Sequence, residues 1–488
     1  MDRRGRRDRP GPAGPVAGRG AGAAGCFNRR VLRVGRRGVT VVDSDPGQFP
    51  NGRPAVPGDG WDTAERVAVL DGPTTGIGST MSTVGSSVES AVEDIGAGHG
   101  PAWLDAWIED NAHRVVAWRR HIHAHPELSR AEHRTTAFLS DRLARAGLNP
   151  KLLPVGTGLI CDIGPDTAER TVALRADIDA LPLTEATGLP YSSTVDGVAH
   201  ACGHDAHTTI LLGAASALAE APELPGRVRL IFQPAEEVMP GGALDVLNAG
   251  GLEGVDSIYG LHCDPRLPVG RIGTRVGPIT SASDLIELRL TSPGGHTSRP
   301  HLTADLVHAL GTVITGLPTL LSRRIDPRTG TVLAWGAVHA GEAANAIPQD
   351  GVLTGTLRTG DRDTWAELEP LIHELVHSLL APLGVGFDLH HRRGVPPVVN
   401  DAASTEIMRE GITAALGEQA LTGTPQSSGG EDFGWYLEHV PGSFARLGVH
   451  SNVVRPKDLH QPTFELDERA LLVGVRAMVG TALRALEN

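Results

Sequence analysis

Past residue 100 the apolar positions follow two different rhythms. Trp103, Leu104, Trp107, Ile108, Val115 and Trp118 recur three and four residues apart, which predicts a helix that breaks at Pro126. A second helix is expected to run to about Ala146, with Gly147 at its stop. TVALRADIDALPL (171–183), RVRLIFQPAEE (227–237) and SIYGLHC (257–263) are instead apolar runs of strand length. They end in Asp177 and Asp179, in Glu236 and Glu237, and in His262, and the helical stretch ILLGAASALAEA (210–221) separates the first two. Strands alternating with helices predict an α/β fold, a mostly parallel sheet flanked by helices. Functional groups of such sheets gather at the carboxyl ends of the strands, where these side chains lie.

From about residue 280 the rhythm changes. DLIELRLTS (284–292) alternates Ile286, Leu288 and Leu290 with Glu287 and Arg289, the period of a half-buried strand. A helix (303–323), strands near 330–338 and 351–358, a helix (362–381) and a strand (384–391) follow. The order β-α-β-β-α-β is the ferredoxin-like split motif. It predicts a domain over residues 281–393 inserted into a catalytic domain formed by residues 101–280 and 394–488. The second part is read as a helix (402–416), a strand (443–448) and a closing helix (467–486), and no internal repeat is visible.

Residues 1–100 keep neither rhythm. Rich in Gly, Pro, Arg and Ser, they cannot bury enough apolar surface to offset chain entropy, so a disordered tail is expected. Met81 opens MSTVGSSVESAVEDIG, an ordinary protein start, and residues 1–80 are expected to be untranslated upstream sequence. An intact mass beginning at Met1 would overturn that expectation. No apolar segment follows the arginines as in a signal peptide. Residues 1–50 carry +7 against a whole-chain net charge of −13, which argues against nucleic acid as the main partner unless the tail is made. No apolar run approaches the roughly 18–20 residues of a membrane span. Cys26, Cys161, Cys202 and Cys263 do not form a disulfide framework, so a reduced, cytoplasmic setting is expected.

Chemistry concentrates in HACGHDAH (200–207). Thiolate, imidazole and carboxylate are the ligands of borderline metals. With the strand-end groups, five candidate ligands converge: Cys202, His204, Glu237, His262 and His460. This mixed donor set suits two divalent ions better than one closed structural zinc, which would show CxxC pairs. Two ions about 3.5–4 Å apart acidify a shared water and polarise a carbonyl. Of the adjacent pair, Glu237 can bind metal while Glu236 faces the water as its proton acceptor.

RADIDALPL, HACGHDAH, FQPAEE, GLHCDP, SPGGHTSRPH, GEAANAIP, GTLR, GGEDF and LHQPTFE, in this order, resemble the aminoacylase/carboxypeptidase family of di-metal peptidases over roughly residues 110–485. The match is to its amidohydrolase branch, similar to hippurate hydrolases, N-acyl-amino-acid amidohydrolases and auxin-conjugate hydrolases. The resemblance implies a di-zinc peptidase-like fold and the same five metal ligands, holding two Mn²⁺, Zn²⁺, Co²⁺ or Ni²⁺ ions. It implies Glu236 as general base and acid, and Asn345 and Arg358 as contacts to the substrate carboxylate. It also implies a homodimer through the inserted domain, which closes over the site, with His296 crossing to the partner to stabilise the oxyanion.

One departure stands out. Relatives open the metal site with His-x-Asp, whereas this strand reads Arg175-Ala176-Asp177. Asp177 could then orient a ligand or only satisfy Arg175, while Asp205 and His207 could support the ligands or be structural. Cys161 and Cys263 are expected in the core, and His121, His123 and His125 are not expected to bind metal. The expected function is metal-dependent hydrolysis of the linear amide bond of N-acyl or N-aroyl amino acids, hippurate-like. A dipeptidase or carboxypeptidase using the same site is the alternative. A non-catalytic binding module should have lost ligands or base, and none is missing.

Overall fold

The computed structural model describes residues 99–451 and 457–488. All of them lie in one of two compact units, Gly78–Asn488. The tail expected over residues 1–100 and the start at Met81 fall outside the described residues, apart from positions 99 and 100.

Helix α1 (Ala102–Ala124) turns Leu104, Trp107, Ile108, Val115 and Ile122 inward and stops at His125, just before Pro126. Helix α2 (His133–Arg145) ends ahead of Gly147, whose φ of +78° is left-handed. The chain then lays down β1 (Lys151–Leu152), β2 (Leu159–Ile163) and β3 (Thr171–Asp177), the last buried at every position. Next come α3 (His204–Ala219), β4 (Arg227–Gln233), α4 (Ala243–Asn248), β5 (Ser257–Pro268), β6 (Ile272–Thr274) and β7 (Gly277–Pro278).

The segment that follows contains β8 (Ala282–Thr291), β9 (Gly295–His296), α5 (Leu306–Arg324), β10 (Val332–Ala340), β11 (Ala346–Ile347), β12 (Asp350–Thr359), α6 (Arg362–Leu380) and β13 (Gly386–Val395). Asp305 and Asp361 cap α5 and α6 by accepting from the N–H groups of His308 and Thr364. The chain closes with β14 (Val399–Asn400), α7 (Ala402–Leu416), β15 (Leu421–Gly423), α8 (Gly434–Leu437), β16 (Gly442–His450) and α9 (Arg469–Glu487).

Two main sheets result. The large one runs β1-β2-β4-β3-β5-β16-β6-β15, with β4, β3, β5 and β16 mutually parallel at its centre. Helices α1, α3, α7 and α9 cover it through a core that includes Leu104, Leu174, Leu211, Ile412 and Val475. The small sheet, β10-β12-β8-β13, is antiparallel throughout and has the strand order of a ferredoxin-like unit. Its own core packs Ile286, Leu288 and Leu353 against Val313 and Leu317 of α5 and Ile372 of α6.

Three details differ from the sequence expectation. Strand β4 stops at Gln233, so Glu236 and Glu237 sit in the turn beyond it, where Ala235 takes a φ of +56°. Strand β5 continues to Pro268, so His262 is not at its end. Pairing of β5 with β3 nevertheless stops at Gly260, which leaves His262 unpaired on that side, level with the end of β3 at Asp177, while β16 carries β5 onward. The short pairs β9–β11 and β7–β14 add two further pieces of sheet that two-residue segments could not announce.

Candidate metal centre and active site

The centre forms where β3 and β4 give out and β5 runs on beside β16. Gly203, with a φ of +87°, begins α3; a Cβ there would stand 2.9 Å from Cys263 Sγ, so only glycine lets this turn close onto β5. Cys202 and His204 flank it, both buried. His204 donates from Nδ1 to Asp179 O at 3.0 Å, and His262 donates from Nδ1 to Cys263 O at 2.8 Å. Each bond assigns the tautomer and leaves Nε2 to face the centre, the arrangement that backbone carbonyls give to metal-binding imidazoles. Cys202 Sγ lies 3.5 Å from His262 Nε2. Glu237 is fixed by its own N–H, which donates to Asp179 Oδ2 at 3.0 Å. His460 arrives from the far end of the chain in a left-handed conformation, φ +60°, with its N–H on Ala201 O at 2.8 Å.

The five candidate ligands therefore meet. Cys202, His204 and His262 can present ligand atoms within 4.8 Å of one another, and so can Cys202, Glu237 and His460, and His204, Glu236 and Glu237. Sharing of Cys202, His204 and Glu237 between triads is what two neighbouring ions require. His204 Nε2 and Glu237 Oε1 are buried without a hydrogen-bond partner; Oε1 is 3.8 Å from His204 Nε2 and 3.3 Å from His460 Nε2.

Electrostatics point the same way. Burial, reinforced by Glu431 and Glu237, pushes Glu236 well above the usual carboxylate range. Burial likewise pushes the Cys202 thiol up. It also lifts Asp432 to about 7, with Arg175 opposing and Glu431 adding. His204 rises well above its ordinary value because Asp177 and Cys202 outweigh its burial. Anionic groups crowded in low dielectric without enough cations are what a divalent ion would neutralise, so the residues fit the metal.

Asp177 keeps neither oxygen free. Oδ1 accepts from His207 Nδ1 and Oδ2 from Arg175 Nη1, both at 2.7 Å. His207 is equally committed, since its Nε2 accepts from Cys263 N–H at 2.8 Å. Both therefore buttress the α3–β5 junction behind the ligands. Asp205 turns away from the centre, accepting from Arg119 Nε at 2.7 Å and His123 Nδ1 at 2.8 Å. His121 stacks on Phe138 and His125 bonds to His121 O, so this histidine tract stays clear of the centre. Cys161 and Cys263 are buried core thiols.

A cavity of about 320 Å³ opens over the centre, lined among others by Cys202, Glu236, His262, Arg358, Arg446 and His460. Arg358 is anchored from Nη1 to Ser428 O at 2.7 Å. His296 and Asn345 are exposed on the β9–β11 pair and its lead-in, and do not line this cavity. Three further groups around the centre escaped the sequence reading. Glu431 and Asp432 lie within ligand distance of Glu236, and GGEDF was their only signal. Arg446 gave no signal, being one arginine in a mostly apolar strand.

Residues 173–484 match the model of peptidase family M20/M25/M40. A Rhodococcus jostii (strain RHA1) protein bearing the name glutamate–cysteine ligase 2-3 is 57% identical over 375 residues, 77% of this chain. The chain spans about half of that relative's length, 47%. The N-acetyl-L-cysteine deacetylase of Bacillus subtilis (strain 168) is 37% identical, covering 77% of this chain and 89% of that protein. Among solved structures, the Bacillus subtilis YxeP protein, a dinuclear metal binding peptidase from the M20 family, superposes with a TM-score of 0.68 at 34% identity, over 78% of this chain and 99% of that one.

Proposed function

The chain belongs to the M20/M25/M40 peptidase family and is a metal-dependent hydrolase of linear amide bonds; we propose that its substrates are N-acyl and N-aroyl amino acids of the hippurate kind. The observation that carries this reading is the convergence of Cys202, His204, Glu237, His262 and His460, with two unpartnered ligand atoms, beside the uncommitted carboxylate of Glu236.

Those five residues would hold two divalent ions, which polarise the scissile carbonyl and acidify a water when bound. Glu236 takes the proton of that water and returns it to the departing amine nitrogen. A carboxylate whose proton affinity is raised by its surroundings suits both halves of that transfer. Arg358 meets the free carboxylate of the amino acid, a role suited to the planar guanidinium fork. His296 and Asn345 belong to the inserted unit and stand outside the cavity of their own chain. In this reading they serve the site of a second copy, joined through the inserted unit. His296 there holds the oxyanion and Asn345 the substrate carboxylate.

The test is a substrate panel on metal-reconstituted protein. N-benzoyl and N-acetyl amino acids are expected to be cleaved with kcat/KM well above that for dipeptides of the same amino acids. Faster turnover of the dipeptides would reassign the protein as a dipeptidase.

A further inference from the structure

Arg446 lines the cavity, yet the mechanism above gives it no part. It lies on β16 in register with His262 of β5, and only 8% of it is exposed. A guanidinium offers five donors and keeps its charge at any physiological pH. Two arginines that are each only 1% exposed show what such a group ordinarily requires. Arg175 is ion-paired with Asp177, Glu431 and Asp432, and Arg119 with Asp205 and Glu468.

Arg446 differs from both. Among the described residues nothing accepts a hydrogen bond from it and no carboxylate pairs with it; its Nε is buried without a partner. Its guanidinium lies 5.7 Å from the centre of the Phe444 ring, which supplies a face but no lone pair. Of the groups whose negative charge would reach it, Cys202 is a candidate metal ligand and the two carboxylates are engaged elsewhere. Asp264 accepts three bonds from Arg266, and Glu431 accepts from Phe433 N–H and pairs with Arg175. An uncompensated buried charge is costly to keep. Here its open side is the substrate cavity.

We infer that Arg446 is a second anion-binding subsite, and that the preferred substrates are N-acyl amino acids bearing two carboxylates. One carboxylate meets Arg358 and the other meets Arg446. The second belongs either to an acidic amino-acid side chain or to the far end of a dicarboxylic acyl group. The shared chemistry is a carboxylate held at a fixed reach from the first. This inference rests on the amidohydrolase reading for its substrates, though not for the subsite itself.

Two matched pairs separate the sources: N-acetylglutamate against N-acetylglutamine, and N-succinylalanine against N-succinamoylalanine. For one pair, the metal-loaded wild type should favour the acid over the amide by about tenfold or more in kcat/KM, the worth of a charged hydrogen bond. Arg446→Gln should bring that ratio down toward one, and Arg446→Lys, which keeps charge and stem, should retain part of it. Calorimetric titration with glutarate and with its monoamide reads the subsite without turnover. Glutarate should bind wild type about tenfold more tightly, a difference that Arg446→Gln removes. If no N-acyl amino acid is cleaved while this Arg446-dependent discrimination persists, the substrate reading fails and the subsite stands. If wild type treats acid and amide alike in both pairs and in the titration, the subsite is overturned whatever the enzyme cleaves.

Discussion

Single residues decide the chemistry. Glu236→Gln keeps shape and removes the proton acceptor, so kcat should fall by about 10²–10⁴-fold. Metal content measured on the same preparation should stay at the wild-type level, because Glu237 and not Glu236 is the proposed ligand. Loss of metal together with activity would instead make Glu236 a ligand. That the candidate metal ligands come together was legible in the sequence because soft and hard donors crowd into a few short runs, and such crowding has few structural explanations. Asp177 was not, because its partners are its i−2 neighbour Arg175 and the distant His207, and only folded geometry shows both oxygens taken. Arg446 was invisible for the opposite reason: its meaning lies in partners that are missing.

Elements set where those residues stand. Helices α7 and α9 cross backbone to backbone; a Cβ on Gly411 would lie 2.6 Å from Gly480 O. Gly411→Ala should therefore destabilise the protein by about 1–3 kcal/mol, read as a lower urea midpoint with unchanged slope, since neither backbone can yield. A second device ties α1 to the loop ahead of the HACGHDAH turn. His123 stands between Asp205 at 2.8 Å and Glu185 at 3.2 Å. Partial burial works against the charge of Glu185, but bonds from His123, Thr187 and Ser193 N–H hold it down at about 2. A depressed carboxylate stabilises the fold above its unfolded value of about 4.3. That contribution is lost as pH falls through about 2. In metal-free protein, the urea midpoint of wild type should drop more between about pH 5 and pH 2.5 than that of Glu185→Gln, and equal drops would remove the clamp from the account. Most helices and strands were readable because period 3.6 and period 2 persist over many residues. The β9–β11 pair was not, since two residues cannot display a period.

At the scale of the whole molecule, the proposed dimer has a direct test. His296 lies outside the cavity of its own chain, so two separately inactive variants, His296→Ala and Glu236→Gln, should restore activity when co-folded. Random pairing yields about a quarter of wild-type activity, since half the dimers carry one intact site. No recovery would mean that His296 acts within its own chain or not at all. No described helix is long and apolar enough to cross a membrane.

The order of the large sheet has a consequence in time. Strands β5 and β6 are separated by only three residues, yet β16 lies between them, parallel to one and antiparallel to the other. During synthesis the ribosome must deliver the inserted unit and α7 before the strand that fills this slot, and His460 emerges later still. A nascent chain therefore waits with an open seam in its sheet and without His460, the last of the five candidate ligands. A chain stopped ahead of β16 cannot close that seam, however well its earlier strands have paired.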